Sequence, residues 1–229
     1  MILSDAEWQA VELSLKVSTL AVICSLPLGI LMAWILVRCH FPGKALLDSV
    51  IHLPLVLPPV VVGYLLLVAM GRRGFIGEWL YNWFGFSFAF SWRGAALASA
   101  VVAFPLMVRA IRLALEAVDT RLEQAARTLG AGRWRVFFTI TLPLTLPGII
   151  VGTVLGFARS LGEFGATITF VSNIPGETRT IPLAMYTLIE TPGAEGAAAR
   201  LCVIAIVLAL ASLLVSEWLA RWGRKRLGA

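Results

Sequence analysis

The residues best placed to do chemistry are Arg159 and Glu163, two ionisable side chains one helical turn apart in the apolar segment FARSLGEFGATITF. Counted from Pro147 at 1.5 Å per residue, Arg159 lies roughly 18 Å along a helix, beyond the midpoint of a ~30 Å hydrocarbon core. Ionisable groups at such a depth usually face a cavity or an opposite charge. One interpretation is that Arg159 supplies positive potential to an anion path and that Glu163 orients it. The alternative is an i,i+4 ion pair near the membrane interface.

Prolines interrupt a second apolar segment, HLPLVLPPVVVGYLLL. A proline lacks the backbone N–H and frees a carbonyl group, which a membrane tolerates only where a neighbouring helix or a cavity satisfies that carbonyl. Pro58 and Pro59 therefore predict a bent helix, which either lines a translocation path or packs as a kinked helix. His52 in the same segment is expected to hydrogen-bond to Ser49 or to a freed carbonyl rather than to act in catalysis.

Motifs of the common enzyme classes are absent from the sequence. It contains no G-x4-G-K-[ST] phosphate loop, zinc-protease motif, nucleophile elbow or paired-carboxylate site. The three cysteines lie in or beside apolar segments at wide spacing, and we interpret them as packing residues rather than as metal ligands or disulfides. We expect this chain to have no catalytic residue and to bind no metal or cofactor. A membrane enzyme built around His52 or Glu163 remains a remote alternative.

Composition places most of the chain in a membrane. Of its 229 residues, 59% are hydrophobic and 14% are charged, and the mean hydropathy is +0.88. Soluble domains average about 25% charged residues, and a membrane-spanning helix needs about 20 mostly apolar residues. Five segments meet this length, so we predict an all-α polytopic membrane protein with one domain over residues 1–229. The predicted spans are Val17–Val37, Ser49–Met70, Gly94–Leu115, Leu144–Phe164 and Leu201–Ala220.

The distribution of charge predicts how these spans are oriented. An odd number of spans puts the two termini on opposite sides of the membrane. If the C-terminus is cytoplasmic, segments 38–48, 109–141 and 221–229 are inside and hold twelve of the 19 Lys and Arg residues. The positive-inside rule therefore predicts an outside N-terminus and a cytoplasmic C-terminus. Because these basic residues adjoin membrane segments, nucleic-acid binding is not indicated.

The polar segment Glu123–Pro143, EQAARTLGAGRWRVFFTITLP, predicts two short amphipathic helices separated by a glycine. Thr120 and Glu123 fit a capping box that starts the first helix. Gly130 is expected to end that helix in the left-handed conformation. Pro143 suits the start of the next helix but not its interior. Amphipathicity alone favours a basic helix that lies on the bilayer surface.

The fourth predicted span carries small residues at every fourth position. Such a ladder lets another helix approach closely by backbone packing. We therefore expect it to form an interface, either between subunits or within the helix bundle. Its members are Gly148, Gly152, Gly156 and Ser160.

The spacing within the polar segment resembles the EAA loop of ABC-importer permeases, E-A-A-x3-G-x9-I-x-L-P. The matching residues are Gln124, Ala125, Ala126, Gly130, Ile140, Leu142 and Pro143. The family's glutamate position is Gln124 in this chain, and a glutamate stands one place earlier, at Glu123. The resemblance implies that these residues, within a loop over about residues 117–143, couple the chain to a cytoplasmic ATPase.

Other strings extend the resemblance over nearly the full length, among them FPGKALLDSVIHLPLVLPPVVVGYLLL, FARSLGEFGATITF and PGETRTIPLAMYTLI. Together they resemble the molybdate permeases of binding-protein-dependent type I ABC importers, and the first two strings also resemble sulfate permeases. This resemblance implies a homodimer in the bacterial inner membrane that works by alternating access. Its implied partners are two cytoplasmic ATPase subunits, which bind ATP and Mg, and a periplasmic molybdate-binding protein. Sulfate, thiosulfate and tungstate are alternative cargoes.

Overall fold

The protein is a bundle of α-helices. The structure, a computed structural model, describes residues 3–227, apart from the side chains at 216, 220 and 222–227, so most side chains of the predicted basic tail 221–229 lie outside the described part of the chain. Over this range the chain forms α-helices and one π-helical turn and contains no β-strand, which confirms the all-α prediction. The helices are α1 (Asp5–Arg38), α2 (Lys44–Val56), α3 (Pro59–Met70), α4 (Phe75–Phe84), α5 (Trp92–Glu116), α6 (Thr120–Thr128), α7 (Arg133–Val136), the π turn (Phe137–Thr141), α8 (Leu142–Leu161), α9 (Gly165–Val171), α10 (Ile181–Glu190) and α11 (Glu195–Leu227).

Within the described residues, four helical stretches are long and apolar enough to cross a membrane. The fifth predicted span, Ser49–Met70, is instead two helices, α2 and α3, that meet at an angle of 114°. The count is therefore five if this bent pair is one span. The bend falls at Pro58 and Pro59, where Pro58 precedes α3 and Pro59 is its first residue. A proline is tolerated in a first helical turn but ends the helix before it, which explains why the chain breaks here. The four stretches are Asp5–Arg38, Trp92–Glu116, Arg133–Leu161 and Glu195–Leu219.

Helix α5 lies at the centre of the bundle and packs most extensively against α1 and α8. The core forms two apolar clusters along it. One cluster includes Ala98 and Phe170, and the other includes Leu36, Met107 and Ile111. A third cluster joins the start of α1 to α10 and α11. Small residues on α5 let its neighbours approach, so the positions of α1 and α8 are set by close packing in the interior.

The small-residue ladder of α8 lies against α5 within the same chain. A Cβ atom on Gly148 would collide with the Cβ of Ala114, and one on Gly152 would lie 3.1 Å from the Met107 carbonyl oxygen. The fourth member of the ladder, Ser160, is buried. The interface that these residues form in the structure is therefore an intrachain helix contact, which glycine makes possible by the lack of a side chain.

The polar segment continues into the next membrane helix without a break. Pro143 lies in the first turn of α8, as predicted for a proline at the start of a helix. The π turn just before this proline joins α7 to α8, so residues Arg133–Leu161 form one helical stretch. The N–H of Leu142 bonds to the carbonyl of Phe137, five residues back. This wider turn makes room for the ring of Pro143, which would otherwise clash with the preceding turn of the helix.

Candidate functional site

Helix α6 begins one residue earlier than the sequence pattern predicts. Asp119 is its N-cap, and the Asp119 carboxylate accepts a hydrogen bond of 2.9 Å from the N–H of Arg121. The predicted capping box of Thr120 and Glu123 is therefore wrong. The Asp119 side chain already satisfies a free N–H of the first turn. The Glu123 carboxylate is instead engaged elsewhere.

Glu123 connects α6 to the membrane bundle. Its Oε1 atom accepts a hydrogen bond from Arg38 Nη2 at 2.8 Å and another from Thr141 Oγ1 at 2.8 Å. Glu123 is 8% exposed and is the only buried residue of α6. A buried carboxylate is costly unless it is paired and hydrogen-bonded, and here both conditions are met.

The end of α6 forms a Schellman motif around Gly130. The backbone φ of Gly130 is +84°, as predicted for a left-handed helix terminus. The N–H of Gly130 bonds to the Arg127 carbonyl, and the N–H of Ala131 bonds to the Ala126 carbonyl, both at 3.0 Å. These two bonds define the motif and satisfy carbonyl groups that the helix end leaves free. The chain consequently turns sharply between α6 and α7.

Large apolar side chains remain exposed on both sides of this turn. Leu129 is 89% exposed and Trp134 is 77% exposed, and the rings of Trp134 and Phe138 stack at 6.3 Å. We call this surface the exposed ridge, and it consists of Leu122, Leu129, Trp134 and Phe138. Four arginines are exposed on the same segment, Arg121, Arg127, Arg133 and Arg135. An exposed cluster of large apolar residues marks a surface that contacts a protein or a membrane.

Some residues of the EAA-like motif lie on the surface, and others belong to the helix bundle. Gln124 and Ala125 are exposed on α6, and Ala126 is half-buried. Ile140 lies in the π turn, whereas Leu142 and Pro143 begin α8, and all three are half-buried. The front of the motif is therefore accessible to a partner, and its tail belongs to the membrane helix.

Arg159 and Glu163 form an ion pair in which Arg159 Nη1 lies 2.7 Å from Glu163 Oε2. Within the described residues, Oε2 makes no hydrogen bond in addition to this ion-pair contact. The Glu163 side chain is 1% exposed and that of Arg159 is 31% exposed. The other carboxylate oxygen of Glu163 accepts a 2.8 Å bond from the N–H of Ala166. Glu163 thereby ties the arginine of α8 to the first turn of α9.

The candidate path residues of two distant segments lie close together. Helix α8 ends at Leu161, three residues before the predicted end of the span, so Glu163 lies in the turn before α9. Gly165 faces the start of α3, and a Cβ atom placed on it would lie 2.9 Å from the Cβ of Pro59. The break at Pro58 and Pro59 and the Arg159–Glu163 pair therefore border the same contact between α3 and α9.

Some residues of the site carried no signal in the sequence. Arg38 is the last residue of α1, and its partner Glu123 is 85 positions away. Asp48 on α2 pairs with Arg112 on α5 at 3.0 Å, across 64 positions. The sequence predicts that His52 bonds to Ser49 or to a freed carbonyl, and its ring Nδ1 lies 2.9 Å from the Asp48 carbonyl oxygen, so its partner is a backbone carbonyl and not Ser49. The sequence shows only that single charged residues stand at the ends of apolar segments. Local patterns cannot predict which of these residues form pairs.

An all-α membrane bundle with a broken helix pair and a polar helix outside it has the fold of an ABC-importer permease. The structure matches that of a bacterial alginate ABC transporter, solved in complex with an alginate pentasaccharide-bound periplasmic protein. The TM-score is 0.69 at 21% sequence identity, and the match covers 98% of this chain and 80% of that chain.

The chain belongs to the family of binding-protein-dependent transport system inner membrane components, whose profile matches residues 25–228. It is 82% identical to the molybdenum transport system permease protein ModB of Escherichia coli K12, and the alignment covers 100% of both chains. It is 69% identical to ModB of Haemophilus influenzae over 97% of each chain. The sulfate transport system permease protein CysT of E. coli K12 is more distant, at 39% identity over 87% of this chain and 72% of CysT.

Proposed function

We propose that this chain is the permease subunit of an ATP-driven importer that carries molybdate across the inner membrane. The observation that carries the proposal is 82% identity over the full length to a molybdenum transport permease. Two identical subunits would form the pathway, and a periplasmic molybdate-binding protein would deliver the anion. The N-terminus would lie outside and the C-terminus in the cytoplasm. The membership of a binding-protein-dependent family supports the delivery step.

Coupling to ATP hydrolysis would occur at α6 and the exposed ridge. This surface offers large apolar side chains, exposed arginines and the exposed motif residues Gln124 and Ala125. Aromatic residues and arginine are the types that concentrate at protein interfaces. The segment would contact a separate cytoplasmic ATPase subunit, which binds ATP and Mg. Closure of two such ATPases would move α6 and open the dimer outward, and hydrolysis would return it inward.

The anion would pass close to the junction of α3 and α9. Arg159 retains 31% of its side-chain exposure although its guanidinium is paired with Glu163. A partly exposed guanidinium offers further N–H donors to an oxyanion. Glu163 would orient the guanidinium, and the break at Pro58 and Pro59 would shape the neighbouring wall. The anion would leave the protein chemically unchanged.

Sulfate is the second candidate cargo because CysT shares 39% identity with this chain. The test that distinguishes molybdate from sulfate as the cargo is uptake of labelled molybdate by the reconstituted importer, which includes its ATPase and binding protein. We expect excess unlabelled molybdate to abolish the labelled uptake and a similar excess of sulfate to leave most of it. Equal inhibition by sulfate would assign the chain to sulfate or to oxyanions in general. Recovery of an altered anion after uptake would instead support a membrane enzyme.

A further inference from the structure

One carboxylate ties α6 to two membrane helices at once. Glu123 Oε1 lies 2.8 Å from Arg38 Nη2 and 2.8 Å from Thr141 Oγ1. Arg38 is the last residue of α1, and Thr141 is the last residue of the π turn that leads into α8. We call this set of three side chains the Glu123 node. It joins the ends of helices that are far apart in the sequence.

The node is the main buried contact of α6. The side chains of Arg38 and Glu123 are 19% and 11% exposed, and no other residue of α6 is buried. Charged residues are almost never buried unless paired, so a helix that buries only a carboxylate depends on that pair for its position. The leucines of α6 and of its C-cap do not provide this attachment, because Leu122 and Leu129 are exposed.

The arginine of the node has an unused donor. Arg38 Nε is buried and has no hydrogen-bond partner in the described structure. Arginine can pair with a carboxylate through two parallel N–H···O bonds, whereas Arg38 uses one nitrogen here. The ion pair with Glu123 is therefore attached through a single guanidinium nitrogen in this arrangement.

We propose that Glu123 is a positioning residue that transmits movement of α6 to α1 and α8 together. Its neighbour Gln124, which is exposed, faces the ATPase instead. The inference rests on the proposed function, because it requires an ATPase that moves α6. It assigns the two adjacent residues different tasks: Gln124 contacts the partner, and Glu123 carries the displacement into the bundle.

The test compares molybdate imported with ATP hydrolysed in the reconstituted importer. In E123Q and R38Q we expect this ratio to fall about fivefold or more, since coupling free energies between sites correspond to about 5–150-fold effects. ATP hydrolysis should continue but should respond less to the loaded binding protein. The matched control is E116Q. Glu116 pairs with Arg112 at 2.8 Å within a single helix, so its ratio should remain that of the wild type.

Charge reversal supplies the second readout. The double variant R38E/E123R should recover much of the ratio that each single reversal loses, because an ion pair is re-formed. If the charge-reversed variants assemble poorly, the ratio is measured in T141V instead. This substitution removes the hydrogen bond from Thr141 to the Glu123 carboxylate and leaves the ion pair with Arg38 in place. It should lower the ratio less than E123Q does.

The inference would be overturned by an E123Q complex whose ratio stays within about twofold of the wild type, below the range of coupling effects. A reduced amount of complex with an unchanged ratio would likewise overturn it, because that is the result of a purely structural role. Failure of the wild-type complex to import molybdate would instead count against the proposed function.

Discussion

Gly130 has a backbone conformation that side chains rarely adopt, in surroundings that would accept a side chain. Its φ is +84°, and a Cβ atom placed on it would meet nothing within 4 Å. The requirement for glycine is therefore conformational rather than steric. Only two residues away, Gly132 also has empty surroundings, but its φ is −65°. Substitutions at Gly130 and Gly132 therefore separate the effect of the backbone conformation from the effect of an added side chain.

We expect G130V to disturb the turn between α6 and α7, because the left-handed conformation costs about 1–2 kcal/mol for a residue with a Cβ atom. The exposed ridge would then lose its arrangement relative to Gln124. The expected result is normal insertion into the membrane with loss of ATPase stimulation, measured in the reconstituted complex. The control G132A should behave as wild type. Normal stimulation in G130V would contradict the assignment of this turn to coupling.

The contact between α8 and α5 depends on the absence of side chains at the glycines of α8. A Cβ atom on Gly148 would collide with Ala114, whereas one on Gly196 in α11 would have only the Arg200 guanidinium near it, at 3.9 Å. The close approach of α8 to α5 also sets where the π turn emerges, because the two belong to one continuous helical stretch. Packing in the bundle is thus linked to the position of the site.

We expect G148V to destabilise the protein by about 1–3 kcal/mol, the usual effect of inserting bulk into a packed interior. The measurement is the thermal unfolding midpoint of the purified protein in detergent. G196A is the control and should leave the midpoint unchanged or raise it slightly, because alanine favours helix more than glycine does. An unchanged midpoint in G148V would show that the helices can separate freely here.

Several elements follow from local sequence, and others depend on packing. The bend at Pro58 and Pro59 and the turn at Gly130 arise from the conformational limits of single residues, so the sequence predicts them. The 114° angle of the bend does not follow from the prolines. It depends on the contact of α3 with α9, where a Cβ on Gly63 would lie 2.9 Å from the Ala166 Cα. The capping prediction failed because Asp119 competes for the same N–H groups.

Helix α1 connects the two ends of the bundle. It has 34 residues, which corresponds to about 51 Å at 1.5 Å per residue and exceeds a ~30 Å hydrocarbon core. Near its start, Glu7 pairs with Arg200 of α11 at 2.9 Å. At its end, Arg38 pairs with Glu123 at 2.8 Å. These pairs join residues 193 and 85 positions apart, which no local pattern could predict.

We propose above that this chain forms the pathway of an ATP-driven molybdate importer. The most direct measurement is uptake of labelled molybdate into vesicles that contain the chain with its ATPase, with the binding protein supplied on the opposite side. We predict uptake that requires ATP, the ATPase and the loaded binding protein together. Uptake that persists without ATP, or none when all components are present, would contradict it.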